Sequence, residues 1–193
     1  MNFNKEKFKE VLHYIICKCG DENNAEKGVL YKLLYFSDFN FFELYEKSLT
    51  GESYRKLVHG PSPVHFDLAI YELVNEEKVN VSTKNISLKR VMYTSLKEPT
   101  MNFNDNELFV INDVIDDLSY MNAKQISEYS HGDMPLRATE DRDIIDYGFV
   151  FYRNPKYVKR HYDESDWNSY GKRFLKEKNK FKRKLRKIWN NII

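Results

Sequence analysis

A chain of 193 residues that is 41% hydrophobic, with 13 Phe and 14 Tyr, has the material for one ordered core, and its seven Gly and five Pro exclude a low-complexity or linker-dominated protein. No apolar run approaches the roughly 20 residues that cross a bilayer, and the polar N-terminus around Lys5 and Glu6 has no apolar h-region, so neither a membrane anchor nor a signal peptide is expected. The net charge of +2 hides a division: residues 1–100 balance 14 Lys and Arg against 14 Asp and Glu, residues 101–150 carry 3 against 11, and residues 151–193 carry 14 against 4.

Phe8, Leu12, Ile15 and Cys19 recur at helical spacing and predict a first amphipathic helix that ends at Gly20. Cys17 and Cys19 point to different faces of it and cannot close a disulfide with each other, which fits a reduced cytosol. The stretch from Ala25 to Glu46 predicts a second helix, apolar nearly all round (Val29, Leu30, Leu33, Leu34, Phe36, Phe41, Phe42, Leu44). Such a helix belongs at the centre of a core. Thr50-Gly51 breaks the chain, and Ser53 to Val58 reads as a short strand. The Gly60-Pro61-Ser62-Pro63 corner then predicts a helix start, with Ser62 as N-cap and Pro63 in the first helical position. Phe66, Ile70, Leu73 and Val74 form the buried stripe of that helix.

Val79 to Val81 and Ile86 to Leu96 read as a β-hairpin, with Ile86, Leu88, Met92 and Leu96 on one face. Helix, strand, helix and two-stranded wing is also the order of a winged-helix module. Asn104 with Glu107 predicts a capping box and a helix lined by Leu108, Ile111, Ile115 and Leu118. Asn122 and Gln125 open a shorter helix through Ile126 and Tyr129, stopped by Gly132 and Pro135. The stretch from Glu140 to Pro155 reads as a last compact element. From Trp167 the chain predicts one long basic amphipathic helix: Trp167, Tyr170, Phe174, Phe181, Leu185, Ile188 and Ile192 step by three and four, among Lys172, Arg173, Lys180, Arg183 and Arg186. The fold class expected is α+β, mostly α-helical, with a domain over 1–155 and a helical extension over 156–193.

No glycine-rich phosphate loop, His-Glu-x-x-His or Gly-x-Ser-x-Gly is present. His59 and His65 flank the corner at no recognised metal spacing, and His131 stands at a helix end, where a cation suits the dipole. Asp116-Asp117 and Asp141, Asp143 and Asp146 lack an acid/base partner. No catalytic, cofactor or metal residues are therefore assigned, and an enzyme is not expected. A DNA reader would aim Arg, Lys, Asn or Gln from the helix after the corner. That helix instead carries His65 and the carboxylates Asp67, Glu72, Glu76 and Glu77, and four carboxylates oppose phosphate.

The segment "YKLLYFSDFNFFELYEKSLTGESYRKLVHGPSPVHFDLAIYEL", with its "KLLYFSD" helix, "LTGESY" and GPxP corner (Gly51, Gly60, Pro61, Pro63), resembles the Panacea domain of SocA-like antitoxins. "AKQISEYSHGDMPL" resembles the family's late helix, and the resemblance runs from Gly28 to Tyr152. It implies a cytoplasmic bacterial or phage protein, the antitoxin of a two-gene pair that neutralises a cognate protein toxin by direct binding, and it brings no catalytic residues. One relative instead delivers its toxin to a protease. The basic helix lies outside the shared pattern. Phe174, Phe181, Leu185 and Trp189 are its expected anchors in a partner groove, with Lys172, Arg173, Lys180, Arg183 and Arg186 steering toward an acidic surface. The other readings are a nucleic-acid-binding regulator that uses the wing and the basic tail, and a protease adaptor or phage host-interaction protein.

Overall fold

The computed structural model describes residues 2–20, 25–85 and 89–160, and the compact unit within it ends at Tyr157. Its elements are α1 (Lys5–Gly20), α2 (Lys27–Tyr45), β1 (Tyr54–Leu57), β2 (Gly60–Pro63), α3 (Phe66–Asn75), β3 (Val79–Asn85), β4 (Lys89–Ser95), α4 (Asp105–Leu118), α5 (Ala123–His131), α6 (Met134–Arg137) and a 3-10 turn (Tyr147–Tyr152). The architecture is α+β and mostly helical, with two separate two-stranded antiparallel sheets.

The centre is α2, buried on every side as its composition requires. It is packed by α1, α4, α5, β2, β4 and the 3-10 turn. Phe39 stacks on Tyr147 with ring centroids 4.1 Å apart, and Tyr35 and Tyr54 meet it edge-on or tilted. The helix starts at Lys27 and not Ala25, because the Ala25 carbonyl accepts from the Tyr93 N–H of β4 at 3.0 Å. The expected apolar stripe of α1 is buried throughout. On its polar side, Lys9 pairs with Glu72 of α3 (3.1 Å) and with Glu76, the C-cap of that helix.

The Gly60–Pro63 corner does not start a helix. It is the second strand of a hairpin, paired Tyr54↔Pro63, Arg55↔Ser62, Lys56↔Pro61 and Leu57↔Gly60. Two prolines fit in a strand here because of the register. Arg55↔Ser62 and Leu57↔Gly60 are the hydrogen-bonded pairs, so Pro61 and Pro63 stand where an N–H would point away from β1. The other edge of β1 is used as well: Lys56 N–H donates to Asp143 O at 3.0 Å, and Ile145 N–H donates to Tyr54 O at 2.8 Å. α3 then begins at Phe66, with His65 in the cap position and Ser62 three residues upstream. β1 also pairs with β2 rather than with the β3–β4 wing, so the winged-helix sheet is not formed.

Gly60 has φ +100°, and a Cβ there would lie 2.5 Å from Ser130 Oγ and 3.2 Å from Lys32 Cε. Gly60→Ala is therefore expected to lower the unfolding free energy by about 2 kcal/mol through backbone strain and overlap. A urea titration followed by far-UV circular dichroism would check it; an unchanged midpoint would show that the turn relaxes freely. Gly51 (φ +73°) is closed in the same way by the Asn2 carbonyl, 2.2 Å from where a Cβ would stand.

The β3–β4 hairpin, the capping box at Asn104 and the helix opened by Asn122 and Gln125 form as expected, and the last of these also starts with a capping box. Two residues of the expected apolar stripes face solvent instead: Leu96 lies one residue past the end of β4, and Val74 lies on the outward side of α3. Ile86 and Leu88 are outside the described residues. The segment from Glu140 to Pro155 lends an extended stretch to the free edge of β1 and ends in the 3-10 turn.

Candidate functional site

Buried polar residues form three clusters, two of them on α2. The largest is built on Arg153, at the end of the 3-10 turn. Its guanidinium forks onto Asp133 (Nε to Oδ1 2.9 Å, Nη2 to Oδ2 2.7 Å), and Nη1 donates to Asn40 Oδ1 (2.8 Å) and Glu43 Oε2 (2.9 Å) of α2. Tyr35 Oη adds a 2.9 Å bond to Asp133. Asp133 stands in the N-cap position of α6 but caps nothing there, because its carboxylate is turned to Arg153. Burial alone would lower the Arg153 pKa, but Asp133 and Glu43 outweigh it and hold the guanidinium above its usual value. Burial, reinforced by Asp133, raises the Tyr35 pKa and keeps that phenol protonated.

The second cluster closes the turn after α2. Asp38 accepts from Thr50 N–H (2.9 Å), Thr50 Oγ1 (2.7 Å) and Tyr54 Oη (2.6 Å). In the third, the buried Glu52 carboxylate receives Ser53 N–H (2.7 Å) and His65 Nδ1 (3.0 Å), while Phe3 stacks on the His65 ring at 4.2 Å. Burial raises the Glu52 pKa against the pull of His65. Lys32 of α2 is different. It is 3% exposed, beside Gly60, and its ammonium has no ion pair among the described residues, so burial lowers its pKa to about 8.

These clusters hold elements together. Asp133 ties α6 and the 3-10 turn to α2, Asp38 ties β1 to α2, and Glu52 ties the start of α3 to the hairpin. Among the described residues no three His, Cys, Asp or Glu side chains gather as a metal would need, and no helix there is long and apolar enough to cross a membrane. His59 is exposed, with its carbonyl receiving Ser127 Oγ, and His131 Nδ1 donates to Ser127 O at 2.7 Å. Cys17 is half-buried and Cys19 buried in α1.

The expected partner-binding residues (Lys172, Arg173, Phe174, Lys180, Phe181, Arg183, Leu185, Arg186 and Trp189) lie outside the described residues. What the described surface offers instead is two helix faces. Leu68 and Tyr71 are exposed along the side of α3 opposite its buried stripe, Val64 is exposed just before that helix, and Phe109 is exposed on the side of α4 opposite its own. Leu68 and Tyr71 on that side are apolar, and the exposed polar residues Asp67 and Asn75 bring no cation, where a DNA reader would present Lys or Arg. α2 showed only that polar groups would be buried, since Lys32, Asp38, Asn40 and Glu43 interrupt a run that is otherwise apolar; nothing there pointed to Arg153, Asp133 or Glu52.

An apolar central helix with a few buried polar side chains, held by short helices and two hairpins, with apolar residues left on outer helix faces, defines a small α+β domain. The chain belongs to the SocA-like antitoxin family: residues 30–135 match the family model described as "Antitoxin SocA-like, Panacea domain". No curated protein and no solved structure matches the chain. Family membership supports an antitoxin-type role.

Proposed function

We propose that this chain is the antitoxin of a two-gene pair, acting in the cytoplasm, and that it neutralises its protein toxin by direct binding. The observation that carries the reading is membership of the SocA-like antitoxin family over residues 30–135. The exposed Leu68 and Tyr71 of α3 and Phe109 of α4 favour it too, since exposed aromatic and aliphatic side chains on an ordered helix are the usual anchors of a protein interface. Co-expression with the products of adjacent genes tests it. One neighbour should arrest growth alone, be tolerated with this chain, and co-purify with it. If no neighbour is toxic and nothing co-purifies, the reading fails.

In this reading the segment 156–193, with 13 Lys and Arg against 4 Asp and Glu, supplies contacts particular to the toxin. Phe174, Phe181, Leu185 and Trp189 are the anchors, and Lys172, Arg173, Lys180, Arg183 and Arg186 steer toward carboxylates on the partner. A chain ended before Trp167 is expected to lose neutralisation while keeping its melting temperature. Undiminished rescue of growth would remove the segment from the interface. Its charge also favours a second reading, contact with nucleic acid, for which a salt-sensitive gel shift on the chain's own promoter is the measurement.

A further inference from the structure

Buried charge in the described residues is otherwise matched by a partner. Arg153 meets Asp133 and Glu43, and Lys9 meets Glu72 and Glu76. Asp38 takes hydrogen bonds from Thr50 and Tyr54, and Glu52 meets His65. Lys32 breaks the pattern. It is 3% exposed, where α2, β2 and α5 pack together. Its ammonium has neither a carboxylate nor a hydrogen-bond acceptor among the described residues. The Tyr31 ring lies 5.9 Å from Nζ, at the limit of cation–π contact.

Folding does not explain this lysine. Burying an unpaired ammonium is unfavourable, and methionine would fill similar space without the charge. A long lysine normally escapes by carrying its head to water, a route almost closed here. It is not sealed. Among the described residues, Ser37 Oγ is the one buried side-chain nitrogen or oxygen both shut off from solvent and unpartnered. Nζ, equally unpartnered, therefore keeps a narrow way out. Gly60, at φ +100°, brings β2 so close that a Cβ there would stand 3.7 Å from Nζ and 2.5 Å from Ser130 Oγ. The serine hydroxyls beside Gly60 have already given their protons, Ser130 to Ser127 O and Ser127 to His59 O. The ammonium keeps its donors free.

We propose that Lys32 is an anchor point for the toxin: one carboxylate of the partner enters where α2, β2 and α5 meet and pairs with the ammonium. The proposal rests on the direct-binding reading and deepens it by naming what the partner inserts. One ammonium balances one carboxylate, so the pair leaves no net charge in the interior. A phosphate group would bring nearly two negative charges to a single cation. The slight exposure of Lys32 suits the slim end of an Asp or Glu side chain, or a chain terminus, and not a whole ligand. An acidic partner surface is also what the basic segment 156–193 would steer toward.

The test uses the full chain and the toxin identified by co-expression. Lys32→Met is expected to weaken toxin binding about a hundredfold, because the partner's carboxylate would be buried without a cation. Its melting temperature should hold or rise, since an unpaired charge has left the core. A lysine kept for folding would lower it instead. Titration of the lysine Cε signals by NMR reads the site in the wild-type chain. Burial, with no charged neighbour, lowers the Lys32 pKa to about 8 in the free chain. A carboxylate beside the ammonium should carry that titration to about 10 or above in the complex. A Lys32 that titrates alike free and bound overturns the site, whether or not the methionine variant folds. A Lys32→Met chain that binds toxin as tightly as wild type overturns it too and leaves direct binding standing. Acetate that moves the free chain's titration equally far would make a small free acid the occupant and overturn the toxin's carboxylate. A wild-type chain that binds no toxin overturns the direct-binding reading and the site with it.

Discussion

Arg153→Met is expected to lower the unfolding free energy by about 3–5 kcal/mol, a large part of the roughly 5–15 kcal/mol that holds a domain folded. The side chain is completely buried, and so are the carboxylates of Asp133 and Glu43 that it meets. Methionine fills much of the volume but takes the guanidinium away from two desolvated carboxylates and from Asn40. The loss therefore comes from uncompensated charge and not from a cavity. Arg153→Lys separates the two effects. It restores the charge but not the planar fork on Asp133, and about half of the loss should remain. Urea unfolding followed by far-UV circular dichroism measures both variants. A loss below about 1 kcal/mol for Arg153→Met would mean that Asp133 and Glu43 take up protons or reach water, and that the cluster does not hold α2 to the 3-10 turn.

That cluster was not legible in the sequence, for a physical reason. Arg153 and Glu43 are 110 residues apart, and Arg153 and Asp133 are 20 apart; no periodicity connects them. Local rules reached what is locally determined. The capping box at Asn104 and the helix start at Asn122 depend on contacts within three residues, the buried character of α2 on its own composition, and the β3–β4 hairpin on an adjacent pair of strands. The β1–β2 hairpin escaped because prolines argue against a strand unless the register is known. The register depends on the edge that Asp143 and Ile145 supply from the far end of the chain. Lys32 was visible as a cation within an apolar run; that no carboxylate meets it needed β2 and α5 to be placed.

Acidification from pH 7 toward pH 4 should favour the folded state through Asp38, opposite to the usual behaviour of a paired carboxylate. Burial raises the Asp38 pKa to about 6 from its ordinary 3.8, with the Glu52 charge adding to the rise and the hydrogen bonds from Tyr54 and Thr50 pulling the other way. The folded chain therefore binds this proton more tightly than the unfolded chain does. Between about pH 4 and pH 6 it carries more of the proton, so stability falls as the pH rises through that window and is level above it. Two pKa units correspond to about 3 kcal/mol. Other groups oppose this. His13 has its pKa lowered by burial and by Lys78, and Glu72 and Glu76 have theirs lowered by hydrogen bonds from Lys5, Lys9 and Lys78, so each favours folding as the pH rises. The difference between the wild-type chain and Asp38→Asn isolates the Asp38 contribution, because the asparagine accepts from Thr50 N–H but does not titrate. Unfolding free energies at pH 4, 5, 6 and 7 should show the variant gaining on the wild type by up to about 3 kcal/mol across that range. A flat difference would show that the folded chain leaves Asp38 with its ordinary pKa, solvated by water that reaches the turn at Thr50.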